Sequence, residues 1–125
     1  MGTDIYIFQE KREGDMWVYD GEFPFKGRDY DLFGWLDGNF SSKFTAIAKD
    51  RGLPYDITPE TKKHIEDIEG DEGCGESWLT FKEIMDNVES DAEKQRYFEE
   101  FIGTIEYISE NDDLANHRIV FCFII

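Results

Sequence analysis

The chain has 125 residues, and 13 Lys and Arg against 29 Asp and Glu give it a formal net charge of −16. This length fits a single domain spanning residues 1–125. A hydrophobic content of 40% is enough to build a core, which excludes global disorder. The charge of −16 argues against direct binding of nucleic acid and against an anionic membrane surface, because both need clustered Lys and Arg.

The sequence also carries information about location. No apolar run approaches the roughly 20 residues of a membrane-spanning helix. The first residues, Met-Gly-Thr-Asp, lack the basic and apolar regions of a signal peptide. The two cysteines, Cys74 and Cys122, fit a reducing compartment better than a disulfide framework. We therefore expect a cytoplasmic protein without a membrane partner.

The first part of the chain predicts a β-hairpin, a loop and a short helix. Residues 4–10 are rich in β-branched and aromatic side chains, which is typical of a strand, and residues 16–19 return as a second strand. Residues 21–29 are predicted to form a loop. Asp29 is a suitable N-cap for a helix over residues 30–36.

Two more helices are predicted in the middle of the chain. Ser41 or Ser42 can cap a helix that the Arg-Gly-Leu-Pro sequence at 51–54 ends. The Thr-Pro pair at 58–59 predicts a third helix that continues to about Glu69. The inner face of the second helix would carry Phe44, Ile47 and Ala48.

The second half contains two capping boxes. Residues 70–76 are predicted to be an acidic, glycine-rich loop. Thr80 and Glu83 form the first capping box, before a helix, and Ser90 and Glu93 form the second, before the longest helix of the chain. The buried stripe of that longest helix would consist of Phe98, Phe101, Ile102, Ile105 and Ile108.

The closing segment, residues 118–125, is apolar after Arg118 and does not alternate, which is typical of a central strand covered on both faces. We expect this strand to lie beside the first one, with Cys122 buried. The predicted fold class is therefore α+β: a small antiparallel sheet with an N-terminal hairpin and a central C-terminal strand, covered by helices.

The sequence holds no recognisable catalytic pattern, and we predict no catalytic residue, cofactor or metal. His64 is expected on a helix surface, and His117 is expected to be a partly exposed structural histidine. Acidic neighbours disfavour a thiolate, which argues against Cys74 as a nucleophile. The acids that alternate from residue 67 to 71 begin like a calcium-binding loop, but the pattern then fails. A weak Ca²⁺ or Mg²⁺ site in the loop over 70–76 stays open.

Charge is unevenly distributed along the chain. Residues 64–93 contain eleven acids and a single base, Lys82. This field contributes to solubility, and it can also serve as a decoy surface for a basic partner, such as a nucleic-acid-binding protein. The sequence leaves both interpretations open.

Three arginines stand at predicted element boundaries, where binding sites are common. The planar fork of arginine binds phosphate or carboxylate, and aromatic rings beside it offer stacking surfaces. The predicted ligand-binding residues are Arg28, Tyr30, Arg51, Trp78 and Arg118. We expect the three arginines to approach one another, either open to an anion or neutralised by carboxylates such as Asp29 and Asp31.

Four stretches carry a family resemblance. They are Met1-Gly2-Thr3-Asp4-Ile5-Tyr6, Gly27-Arg28-Asp29-Tyr30-Asp31-Leu32-Phe33, Arg51-Gly52-Leu53-Pro54-Tyr55-Asp56 with Thr58-Pro59-Glu60, and Ser77-Trp78-Leu79-Thr80 with Glu83. Their order and spacing, with the closing Arg-Ile-Val-Phe at 118–121, resemble a family of small phage and prophage proteins of uncharacterised activity. Similar proteins often carry histidine where this chain has Gly-Cys-Gly-Glu at 73–76. The resemblance implies a phage origin and a host-cytoplasmic setting.

Two main hypotheses of function follow. The first is a non-enzymatic phage protein that counters host defence by sequestering a small anionic, nucleotide-derived signal. A homo-oligomer is expected with it, because a seam between subunits offers a pocket. The second is an acidic decoy that inhibits a basic host protein by protein–protein interaction. A third, a small hydrolase of a phosphorylated ligand, needs His117 or an acidic pair beside the arginines.

Overall fold

The computed structural model describes residues 2–25, 28–38, 40, 42–49, 51–70, 73–88 and 91–124, without the side chains of residues 73 and 74. Within these residues four strands form an antiparallel sheet in the order β2-β1-β4-β3. They are β1 (Asp4–Glu13), β2 (Met16–Glu22), β3 (Gly73–Thr80) and β4 (His117–Ile124). The α+β class, the N-terminal hairpin and the central C-terminal strand beside the first strand are thereby confirmed.

Short helices and one 3₁₀ turn connect the strands. They are α1 (Tyr30–Leu36), α2 (Pro59–Glu69), α3 (Phe81–Val88), α4 (Ala92–Tyr97), α5 (Glu99–Ile108) and the turn Leu114–Asn116. The predicted caps of three of them are confirmed, beginning with Asp29 at the start of α1. The Thr58 hydroxyl accepts a hydrogen bond from the Thr61 amide at 3.1 Å. In the first capping box, the Glu83 amide donates to the Thr80 hydroxyl at 3.1 Å and the Thr80 amide donates to the Glu83 carboxylate at 3.0 Å.

The two faces of the sheet are covered differently. One face packs against α1, α3 and α5 and forms the main core, which includes Ile7, Phe33, Trp35, Phe101, Ile119 and Phe121. The other face is covered in part by α2, whose Ile65 contacts Phe8, Val120 and Cys122. Because β4 lies between two strands and under helices on both faces, an unbroken apolar sequence suits it. Cys122 is fully buried there, as predicted.

The helix predicted to begin at Ser41 or Ser42 is wrong. Ser41 lies outside the described residues, and residues 42–49 form no helix. Their backbone groups bond to α1 and its C-terminal end instead: the Ile47 amide donates to the Trp35 carbonyl at 2.8 Å, and the Gly38 amide donates to the Ala48 carbonyl at 3.3 Å. Phe44, Ile47 and Ala48 still pack on the main core, so their inward orientation is right although their secondary structure is not.

The longest predicted helix is divided in two. Phe98 has backbone angles φ −109° and ψ 33°, which interrupt the helix between α4 and α5. Its side chain is nevertheless buried, because the break still leaves the ring facing Trp35. Phe101, Ile102 and Ile105 of the predicted stripe are buried as well, and Ile108 is partly buried. Asp91 caps α4 by accepting hydrogen bonds from the Glu93 and Lys94 amides, at 3.0 and 3.3 Å. The predicted cap, Ser90, lies outside the described residues.

The predicted loop over residues 70–76 is wrong from Gly73 onward, where β3 begins. Glycine and acidic residues obscure the strand in the sequence, but pairing with β4 stabilises it: Ser77 lies opposite Phe121 and Leu79 opposite Ile119. The hairpin strands are also longer than predicted. β1 continues to Glu13, and β2 continues to Glu22 into the segment predicted as loop.

Candidate functional site

Five arginine and tryptophan side chains stack alternately on one face of the sheet. The Arg118 guanidinium carbon lies 4.1 Å from the ring centroid of Trp17 and 5.7 Å from that of Trp78. The Arg51 guanidinium carbon lies 4.7 Å from the Trp78 centroid. The Arg12 guanidinium carbon lies 5.6 Å from the Trp17 centroid. We call Arg12, Trp17, Arg118, Trp78 and Arg51 the arginine–tryptophan stack. Such contacts between a cation and an aromatic face are attractive, more so where water is excluded.

Strand register explains this arrangement. Arg118 of β4 lies opposite Glu10 of β1 and Thr80 of β3, so these three side chains share a face of the sheet. Trp78 is two residues from Thr80 and therefore projects to the same face. Arg51 belongs to the loop before α2 and reaches the edge of β3, where its amide donates to the Ser77 hydroxyl at 3.3 Å.

Arg118 is fully engaged inside the protein. Its Nε donates to Glu10 Oε1 at 2.7 Å, its Nη1 to Asp56 Oδ1 at 2.9 Å, and its Nη2 to the Asp56 carbonyl at 3.3 Å. The side chains of Arg118 and Glu10 are 3% and 0% exposed. Glu10 Oε2 accepts from the Thr58 amide at 2.9 Å, so the same carboxylate also holds the N-terminus of α2. A buried charge pair needs such additional hydrogen bonds to offset desolvation.

Arg51 is also paired internally. Its guanidinium makes two hydrogen bonds to the Glu83 carboxylate, and its Nη1 donates to the Trp78 carbonyl at 3.3 Å. The hydrogen bond from Arg51 lowers the pKa of Glu83, and Glu83 in turn raises the pKa of Arg51. Glu83 therefore has two roles, since it also completes the capping box of α3.

Arg28 and Tyr30 lie at the other end of the sheet. Arg28 Nε donates to Asp4 Oδ1 at 2.8 Å, and the Tyr30 hydroxyl accepts from the Thr3 amide at 3.1 Å. Glu10 lies six positions after Asp4 in β1, which at about 3.3 Å per residue is a distance of roughly 20 Å. The expected convergence therefore holds for Arg51, Trp78 and Arg118 and is wrong for Arg28 and Tyr30.

The carboxylates expected to neutralise the arginines are elsewhere. Asp29 caps α1 by accepting from the Leu32 amide at 3.1 Å. Asp31 accepts from the Tyr97 hydroxyl at 2.7 Å, which lowers the pKa of the Asp31 carboxyl. The observed partners of the converging arginines are Glu10, Asp56 and Glu83. Sequence reasoning missed these three and Trp17. The available signals were the capping box, which contains Glu83, and the alternation of side chains between the two faces of the hairpin strands, which carry Glu10 and Trp17.

The histidines do not take part in this stack. His117 lies next to Arg118 in β4 and so projects to the opposite face, where it stacks on Phe81 and its Nε2 lies 2.8 Å from Asp112 Oδ2. It is 5% exposed and not partly exposed as predicted, because Phe81 and the turn after α5 cover it. His64 is exposed on α2, as predicted, and stacks between Phe8 and Tyr19.

The acidic residues around the end of α2 include a carboxyl pair. Glu69, in the last turn of α2, shares a hydrogen bond with Glu76 of β3. Burial, together with that hydrogen bond and the charge of Glu76, raises the pKa of Glu69 to about 7. Among the described residues no three His, Cys, Asp or Glu side chains are placed to hold a metal ion. Residues 71 and 72, on which the weak cation site depends, lie outside them, as does the Cys74 side chain.

The Glu69 carboxyl makes stability depend on pH. Between its ordinary value of 4.5 and about 7, the folded chain retains a proton that the unfolded chain has lost, so stability falls as pH rises through this window. We expect Glu69→Gln, which cannot ionise, to gain in melting temperature relative to the wild type as pH is raised from 4.5 to 7.5. Thermal unfolding at several pH values, with Glu66→Gln as control, checks this, and a pH-independent difference contradicts it.

The acidic surface is most continuous on α5 and the turn that follows it. Residues 97–116 contain six carboxylates and no Lys or Arg. All six are exposed: Glu99, Glu100, Glu106, Glu110, Asp112 and Asp113. Other helices compensate their acids, as in the ion pairs Lys63–Asp67 of α2 and Lys82–Asp86 of α3, at 3.4 and 2.9 Å. We call the exposed side of residues 99–113 the acidic face.

No described helix is both long enough and apolar enough to cross a membrane. Comparison of the chain with models of known protein families, with curated proteins and with solved structures finds no match.

Proposed function

We propose that this chain is a non-enzymatic binding protein that engages a basic protein through the acidic face of α5. The observation that carries the proposal is the exposed run of six carboxylates without a compensating cation between residues 97 and 116. In the setting implied by the resemblance to phage proteins, the partner is a basic host protein in the host cytoplasm. Occupying its basic surface would counter its action, for example in host defence.

Part of the acidic face is organised by a helix. Glu99 and Glu106 are seven residues apart, which places them along one side of α5, and Glu110 follows in the turn after the helix ends. Tyr107, beside them, is 79% exposed and offers a large ring with a polar end, a residue type that is enriched at protein interfaces. The opposite side of the helix is anchored in the main core by Phe101, Ile102 and Ile105.

The six carboxylates of the acidic face carry charges of the same sign. Uncompensated carboxylates repel one another and weaken the fold, and a basic partner that neutralises them would relieve this repulsion. Complementary charge also accelerates encounter and suppresses wrong partners, and both effects decrease as salt rises. Binding through the acidic face should therefore be fast and sensitive to ionic strength.

The test compares the binding of poly-L-lysine by two charge-reduced variants and by the wild type. Binding is measured by titration calorimetry at several salt concentrations. The test variant carries Glu99→Gln, Glu106→Gln and Glu110→Gln. The control removes the same charge from α2 with Glu60→Gln, Glu66→Gln and Asp67→Asn. We expect about ten-fold weaker binding and a lower salt dependence for the α5 variant, with a much smaller change for the α2 variant. Equal losses in both would show that net charge alone governs binding, and would overturn the proposal.

Sequestration of a small anionic, nucleotide-derived ligand is the second candidate function. The convergence of Arg51 and Arg118 on Trp78 favours it. The internal carboxylates oppose it, because an anion must displace Glu83 or Asp56 before either guanidinium can form a bidentate contact. The geometry thus supports this function less well than a contact through the acidic face. A hydrolase is supported least, since His117 projects away from the arginines and the acids beside them, Glu10, Asp56 and Glu83, are held in ion pairs with them.

Arg51→Ala separates internal pairing from anion binding. Because Arg51 is held by Glu83 and stacks on Trp78, we expect the variant to lose about 1–2 kcal/mol of unfolding free energy. Inorganic pyrophosphate should leave the melting temperature of wild type and variant unchanged. If pyrophosphate instead stabilises the wild type alone, and Arg51→Ala leaves stability unchanged, the second candidate function replaces the first.

A further inference from the structure

A cleft lies beside the first half of β1, away from the arginine–tryptophan stack. The pairing of β1 with β2 reaches only from Glu13 to Phe8, which lies opposite Glu22. Pro24 follows shortly after Glu22 and, lacking an N–H, cannot extend the ladder. The resulting cleft has a volume of about 370 Å³, within the range of small-molecule sites. Its lining consists of Asp4, Ile5, Tyr6, Ile7, Phe8, Glu22, Phe23 and Phe25.

The cleft is bounded at both ends by contacts between β1 and the segment that follows β2. At one end the Phe23 amide donates to the Ile7 carbonyl at 2.9 Å. At the other end Arg28 Nε bonds Asp4 Oδ1 at 2.8 Å. A continuous extended peptide would have to break one of these contacts to add a strand to β1. A compact ligand needs to break neither, so the shape favours a small molecule.

The floor of the cleft offers a paired main-chain donor and acceptor. In an antiparallel strand, alternate residues direct both their N–H and C=O groups to the same side. The Ile7 carbonyl points toward the β2 side, where Phe23 donates to it, so the N–H and C=O of Ile5 point to that side as well. β2 ends opposite Phe8 and does not reach Ile5. No partner for the Ile5 main chain on that side is found among the described residues, so its N–H and C=O, a few ångströms apart, face the cleft.

The walls favour a flat ring that carries amino groups. Phe23 and Phe25 are held in place by Phe101 of α5, with ring centroids 5.0 and 5.8 Å apart. Asp4 and Glu22 add carboxylates to the lining, which accept hydrogen bonds and favour a neutral or protonated ligand over an anion. The net charge of −16 on the whole chain also disfavours an anionic ligand.

We propose that the cleft between Ile5 and Phe25 binds an amino-substituted heteroaromatic ring, of the kind that purine bases carry. The Ile5 N–H donates to a ring nitrogen, the Ile5 C=O accepts from the adjacent amino group, and Phe25 packs against the ring face. This site is separate from the acidic face, and it does not depend on the proposed function.

The experiment records two-dimensional amide NMR spectra of the full chain during titration with adenine, with purine and with adenosine monophosphate. Adenine at millimolar concentration should shift the amide of Ile5 and those of its neighbours along β1. Purine lacks the amino group and should bind about five-fold more weakly, which corresponds to one lost neutral hydrogen bond. Adenosine monophosphate should bind more weakly than adenine, because Arg28 at the end of the cleft is already paired with Asp4 and the phosphate meets the carboxylate of Glu22.

Two variants localise the site. Phe25→Leu removes the stacking face while keeping an apolar side chain, and it should reduce adenine binding several-fold. Phe44→Leu is the matched control, since Phe44 is also a partly buried phenylalanine on the main core. Shifts confined to Trp17 and Trp78, equal binding of purine and adenine, or unchanged binding by Phe25→Leu would each overturn the proposal. An absence of any shift with adenine would do the same, while leaving the function of the acidic face untouched.

Discussion

Replacing Arg118 by methionine should reduce the free energy of unfolding by about 3–5 kcal/mol, because it leaves the Glu10 carboxylate buried without its cation. Glu10 is fully enclosed, and it also accepts the Thr58 amide at the start of α2. Loss of the pair should therefore loosen α2 together with the sheet. Urea unfolding at neutral pH, monitored by tryptophan fluorescence and by circular dichroism, measures the change.

Two further variants decide whether the loss comes from the unpaired charge. Adding Glu10→Met to Arg118→Met should restore much of the stability, because a packed apolar pair avoids the desolvation of both ions. Arg28→Ala breaks a pair in which the arginine side chain is 51% exposed, and it should cost far less stability than Arg118→Met because solvent screens an exposed pair. If Arg118→Met costs no more than Arg28→Ala, Arg118 does not hold the sheet and α2 together as described.

Trp35→Ala should be comparably destabilising, with a loss of about 3–5 kcal/mol. Trp35 is fully buried, and its indole stacks on Phe98 with a centroid distance of 4.6 Å and an interplanar angle of 6°. Its Nε1 donates to Asn87 Oδ1 at 2.8 Å. The side chain therefore joins α1 to the end of α3 and to the junction between α4 and α5. Thermal unfolding and near-ultraviolet circular dichroism report the loss.

Two further variants show how much of this loss comes from the Trp35 ring. Trp35→Phe retains a ring for Phe98 and should lose less than Trp35→Ala, while Tyr55→Ala, at a fully exposed tyrosine, should change stability by no more than about 0.5 kcal/mol. Asn87 keeps a partner in each Trp35 variant, since Lys94 Nζ also donates to it at 2.9 Å. If Trp35→Ala and Tyr55→Ala had similar stabilities, the Trp35 indole would not stabilise the contacts of α1 with α3 and with the junction between α4 and α5.

Local patterns in the sequence predict much of this fold. The Thr80–Glu83 capping box, the Thr-Pro start of α2 and the unbroken apolar run of β4 each rest on a few adjacent residues, and each is found in the structure. Where the prediction fails, distant contacts decide. Residues 42–49 bond to α1 and its end and not to themselves, and β3 forms because β4 supplies a partner for glycines and acids that make a poor strand alone.

The site was harder to predict, because its geometry depends on strand register. Arg51, Trp78 and Arg118 were found as chemically suitable residues, and they do converge. Nothing in the sequence distinguishes their partners Glu10 and Asp56 from the other acids among the 29, because both bond to Arg118 across long stretches of chain, 108 and 62 positions. The sequence does not distinguish Arg28 from the other two arginines, although the length of β1 keeps Arg28 apart from them in the structure. The cleft beside Ile5 leaves no trace in composition.

The neighbouring placement of β1 and β4 also governs how fast the chain can fold. Glu10 and Arg118 meet across 108 positions, so the sheet closes only after a very long loop has been ordered. Such non-local pairing slows folding, because the entropy of loop closure is lost before the contacts form. During synthesis, β1 can pair with β2 early, but its other edge stays open until β4 has left the ribosome. Throughout that interval the apolar side chains of β1 are exposed, and the strong negative charge of the chain keeps such molecules apart.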